Sequence, residues 1–97
     1  MHTKEIGITK SGQGWSVYTK QYWEGWSKPV GTYSGENTLA WAIYKAVCRA
    51  SETNTQVVKL TVKNKPYPRE KAEAAIRECA SGMLRYTLEE TLAALAI

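Results

Sequence analysis

The stretch from Trp15 to Tyr44, WSVYTKQYWEGWSKPVGTYSGENTLAWAIY, holds all four tryptophans and four of the six tyrosines of a 97-residue chain without phenylalanine. Large rings bury the most apolar area per residue, so the core must be built here. The first part alternates: Trp15, Val17 and Thr19 fall on one side of a strand, Ser16, Tyr18 and Lys20 on the other. Each face therefore carries a ring. Glu24 and Gly25 turn the chain, and a further strand runs from about Trp26 to Tyr33. Pro29 lacks an N–H for the ladder, which places this strand at a sheet edge or a bulge. Ser34 suits a helix N-cap, and a helix follows to about Ser51.

That helix has two stripes. Leu39, Ala42, Ile43, Ala46, Val47 and Ala50 form one, which packs on the sheet. Trp41, Tyr44 and Cys48 form the other, which is either covered by a later helix or left as a docking surface. Upstream, Lys4 to Thr9 alternates as a strand with Ile6 and Ile8 on one face, and residues 11–14 turn into Trp15, giving an antiparallel meander. Downstream, Gln56 to Val62 reads as a strand with Val58, Leu60 and Val62 opposite Val57, Lys59 and Thr61; following a helix, it pairs in parallel or at an edge. Residues 63–68 form a proline loop, and Pro68 suits the first position of the next helix. Ala72, Ala75, Ile76, Cys79 and Ala80 give that helix a narrow stripe ending at Gly82, and Thr87 with Glu90 makes a capping box for a last one. The expectation is one α+β domain over residues 1–97: a three-stranded antiparallel meander plus a fourth strand, backed by two or three helices in the order βββαβαα.

The acidic residues are nine glutamates with no aspartate, and the one histidine is His2. Hydrolytic and metal-dependent sites draw on convergent Asp, His or Cys, so we expect no catalytic residues, no metal, no cofactor and no enzymatic activity. Cys48 and Cys79 have no metal-ligand spacing and read as reduced thiols. No apolar run approaches the roughly 20 residues that span a bilayer, and the first residues lack an apolar signal core, so the expected location is the cytoplasm. The net charge of +4 permits a nucleic-acid or acidic protein partner without demanding either.

The strand and helix order is shared with ribonuclease H-like domains. Two-metal cleavage needs carboxylates from the first and fourth strands, where only Glu5 stands. Gly14, Trp15 and Val17, then Gly31, Thr32 and Tyr33, then an alanine-rich helix, resemble the three-stranded DNA-binding sheet of recombinase arm-binding domains. That is the alternative function, a small DNA-binding module contacting DNA directly. Basic residues gather instead at Lys59, Lys63, Lys65, Arg69 and Lys71, a run that also suits a solvated face. In size, basic balance and its Lys65, Pro66, Tyr67, Pro68, Arg69 loop, the chain resembles the small anti-RecBCD proteins of lambdoid phages. The resemblance implies a non-enzymatic phage modulator that docks on the RecC subunit of the host RecBCD nuclease, in the host cell cytoplasm, and redirects it. The expected partner-binding residues are Trp23, Trp26, Lys63, Lys65, Tyr67, Pro68 and Arg69, standing where turns free side chains from the core. An aromatic residue before proline favours the cis isomer, so Pro68 is also an expected contact for a host prolyl isomerase.

Overall fold

The computed structural model describes the chain apart from residues 1, 13, 24–25, 37 and 81–84, and apart from the side chains of 11, 21–23, 26–36 and 85–87. The meander is β1 (His2–Ser11), β2 (Gly14–Trp23) and β3 (Trp26–Glu36); α1 (Leu39–Glu52), β4 (Thr55–Val62), β5 (Lys65–Pro66), α2 (Arg69–Ala80) and α3 (Arg85–Ala93) follow. The fold is α+β, with sheet order β3-β2-β1-β4-β5. β1 lies between β2, antiparallel to it, and β4, parallel to it. A parallel neighbour needs a long crossover, which α1 supplies.

The expected position of Pro29 holds on both counts. β3 is the edge strand, paired only with β2, and the register steps from Thr19–Gly31 to Lys20–Pro29, leaving Val30 as an extra residue. A bulge and a missing N–H both blunt an open edge. The start of α1 differs from the expectation. β3 runs through Ser34 to Glu36, and the cap is Thr38, whose Oγ1 accepts the backbone N–H of Trp41 at 3.1 Å. Ser34 loses to the ladder because β2 still offers partners as far as Trp15–Glu36.

β4 departs from simple alternation. Its register with β1 shifts between Lys4 and Glu5, so that Lys4 pairs Val57 while Glu5 pairs Lys59. Val58 is the bulged residue and is exposed, whereas Val57 and Leu60 are both buried. The expected grouping of Val58 with Leu60 is thus corrected: an inserted residue reverses the phase of the pleat. The outer edge of β4 is largely occupied. Val57 receives Ala96 N–H and donates to Ala94 O, each at 2.8 Å, Tyr67 N–H reaches Leu60 O at 3.0 Å, and β5 pairs Thr61 and Val62.

The core joins Ile6 and Ile8 of β1, Val17 of β2, and Val57 and Leu60 of β4 to Ala42, Ile43, Ala46, Val47 and Ala50 of α1. Each fully buried branched side chain contributes about 1.5–3 kcal/mol. α2 and α3 pack against α1. The second stripe of α1 is divided between cover and solvent. Tyr44 is buried and Cys48 Sγ lies 3.4 Å from Thr91 Oγ1 of α3, while Trp41 stays 40% exposed, its ring 5.5 Å from that of Tyr44. The Tyr44 hydroxyl is buried without a hydrogen-bond partner. Burial, with the Cys48 thiol beside it, pushes its pKa up to about 12. Burial likewise raises Cys79, helped by Glu78 and by Cys48. Among the described residues, no helix is long and apolar enough to cross a membrane.

Candidate docking surface

The expected proline loop is a tight hairpin. Lys63 and Asn64 form a turn with φ of 54° and 66°, and Val62 pairs Lys65 across it. Positive φ at both central positions is the type I′ turn, whose twist matches that of the strands it joins. Asn64 tolerates this region well, whereas Lys63 carries strain from its Cβ. The ammonium of Lys63 stands 5.7 Å from the centroid of Trp15, and that of Lys10 stands 4.9 Å from it. Trp15, half-buried against the core, stands near both ammoniums, and its contact with Lys63 ties this turn to the β1–β2 end of the sheet.

Beyond the turn, Lys65 and Pro66 are exposed, and Tyr67 is half-buried against the core. Pro68 is exposed and its peptide bond is trans. Its carbonyl accepts the N–H of Ala72 at 3.1 Å, so it caps α2 from outside rather than filling the first helical position. Arg69 is not an open surface cation. Its Nε donates to Glu73 at 2.7 Å, and its Nη1 donates to the carbonyls of Leu95 at 2.7 Å and Ile97 at 3.1 Å. The backbones of Trp23 and Trp26 pair with each other across the β2–β3 turn; as contact residues they lie outside the described side chains. Lys63, Lys65, Tyr67, Pro68 and Arg69 thus follow one another along one segment, with Lys63 turned toward Trp15 and Arg69 toward the C-terminal carbonyls, and the Trp23–Trp26 pairing belongs to the β2–β3 connection.

Tyr67 also lines a shallow open depression between the start of α1 and α2, about 360 Å³ in volume, with Leu39, Ala40, Ala74 and Ala75 and with Lys71 and Glu78 as its charged members. This depression was not foreseen. Its signal was present in the small residues Ala40, Ala74 and Ala75, which leave a furrow wherever two helices lie side by side. Lys4 is a second unforeseen feature. It lies on the helix-facing side of β1, only 6% exposed, and burial followed by the nearby charge of Arg49 holds its pKa below the ordinary lysine value. No group of three or more His, Cys, Asp or Glu able to hold a metal ion occurs among the described residues. Neither a protein-family model, nor a curated protein, nor a solved structure matches the chain.

Proposed function

We propose that this chain is a non-enzymatic docking protein that seats on a host DNA-repair nuclease, RecBCD through its RecC subunit, in the bacterial cytoplasm. The observation that carries the docking half is the continuity of the hairpin with the furrow: Tyr67 is part of both, so exposed Lys65 and Pro66 stand directly beside an apolar depression. A rigid turn beside an apolar seat costs little ordering entropy on binding, and the opposite charges of Lys71 and Glu78 at its rim select the orientation of a partner of complementary charge. The nuclease half rests on the resemblance of the Lys65–Arg69 loop. Pro68, exposed at the head of α2, is the contact proposed for a host prolyl isomerase.

Purified RecBCD tests the reading directly. Immobilised nuclease is expected to capture the chain, change its exonuclease rate and lose affinity at least tenfold for the Lys65→Glu, Ala74→Glu double variant. Absence of binding at micromolar concentration would reject the nuclease as partner. Cyclophilin titrated against the wild type and against Pro68→Ala tests the isomerase contact: no binding to either, or equal binding to both, rejects it.

A further inference from the structure

The face of the sheet opposite α1 carries no helix among the described residues, and its central positions fall in two neighbouring rows. In one row Tyr18 of β2 and Thr61 of β4 flank Gly7 of β1; in the next, Lys20 and Lys59 flank Glu5. Together with Asn64 these residues line an open groove of about 310 Å³. Tyr18 is 51% exposed, the most open of the large apolar side chains described. A ring left in water on a sheet gains by covering its face, and Gly7 beside it has no side chain to do so. A Cβ at Gly7 would stand 3.4 Å from Thr61 Oγ1, so the missing side chain leaves a low floor between ring and hydroxyl. About 7 Å along the strands, one repeat of the pleat, the exposed cations of Lys20 and Lys59 stand on either side.

A flat ring carried on an anionic backbone matches that arrangement. The base lies over Gly7 against Tyr18, and the phosphates before and after it meet the lysines. Stacking of this kind needs a base face that is free, which a duplex withholds and a single strand offers. We propose that the open sheet face binds single-stranded nucleic acid, with Tyr18 as the stacking residue and Lys20 and Lys59 as phosphate contacts. Glu5, between the two cations, sets the path of the strand by keeping phosphate away from the midline. This inference goes beyond the docking reading and uses the opposite side of the molecule from the α1–α2 furrow.

Fluorescence anisotropy with a labelled oligothymidylate at low salt tests it on the full chain. The expected result is binding that weakens as salt is raised, exceeds that of a duplex of equal length at least tenfold, and falls by about 5- to 100-fold in Tyr18→Ala. Lys59→Glu is expected to lower affinity and Glu5→Gln to raise it; thermal melts of each variant confirm the fold. No binding to the oligothymidylate, equal affinity for duplex, or binding untouched by both Tyr18→Ala and Lys59→Glu overturns the proposal. So does a dimer in light scattering that Tyr18→Ala dissolves, since a second copy would then be what covers the face.

Discussion

Arg69 Nη1 donates to the carbonyl of Leu95 at 2.7 Å, joining the first turn of α2 to a segment that is itself paired with β4 through Val57. Arg69 therefore ties the C-terminal segment to α2 as well as bordering the loop. Arg69→Ala is expected to cost about 1 kcal/mol, below the usual value for hydrogen bonds from a charged group because the side chain is 45% exposed. Amide exchange should accelerate at Ala96 and Val57 more than at Ile6 or Ile8, and uniform acceleration would show that the contact is global rather than local.

Lys63 combines a strained backbone with a charge proposed to meet a partner. Lys63→Asn relieves the left-handed strain, worth about 1 kcal/mol, while deleting the cation near Trp15 and the docking charge. Chemical denaturation should show stability unchanged or raised, and nuclease binding should weaken. A variant that loses both would mean that the cation–π contact outweighs the strain.

The cap of α1 gives a direct comparison of two residues. Thr38→Ala removes the acceptor for Trp41 N–H and should cost about 1 kcal/mol, whereas Ser34→Ala, inside β3, should leave helix stability unaltered. Melting temperatures of the two variants decide it.

Tyr44 makes alkaline stability depend on a proton. An unfolded chain releases the phenol proton near 10.0, the folded chain only near 12. Between those values the folded state holds more protons, so stability falls as pH rises through that window. Tyr44→Phe removes this slope and changes stability at pH 7 by no more than about 1 kcal/mol, because the hydroxyl's neighbour is the Cys48 thiol, a weak hydrogen-bonding group. Urea titrations from pH 8 to 11 should show a flatter decline in the variant.

Lys4 has the opposite sign. Its pKa is lowered on folding, so between that value and 10.5 the unfolded chain binds more protons and stability rises with pH. Lys4→Met keeps most of the unbranched side chain without the charge near Arg49. At pH 7 it should stabilise by about 1 kcal/mol, or about 4–8 °C in Tm for a domain of this size. A lower Tm would show that the ammonium is better solvated than its burial implies.

The meander, the strand character of β4 and the helical cover were legible because each rests on local periodicity; that β4 pairs in parallel rather than at an edge was not, since β1 decides it. Ile6 and Ile8, or Ile43 and Val47, declare their face by spacing alone. What escaped notice depends on pairing between distant segments. The bulge at Val58 reverses the phase of β4, and nothing within residues 56–62 announces it, since the shift is defined against Lys4 and Glu5. Ser34 and Thr38 are equally good caps by chemistry, and the length of β2 chose between them. The loop was legible as a loop, but its hairpin was hidden because Lys63-Asn64 lacks the glycine that usually marks such turns. The role of Arg69 was hidden for the same reason as the bulge: its acceptors lie 26 and 28 residues away.

The central place of β1 in the sheet sets a schedule for the chain as it leaves the ribosome. β1 to β3 can pair as soon as residue 36 is free, yet the resulting meander presents Ile6, Ile8 and Val17 uncovered on one side. Cover arrives with α1, and the second flank of β1 is filled only once residue 62 has emerged. For that interval the nascent chain carries a half-dressed sheet whose β1 edge is open to any passing strand. Lys4, the inward-facing charge on that very edge, is well placed to discourage such pairing until β4 claims it.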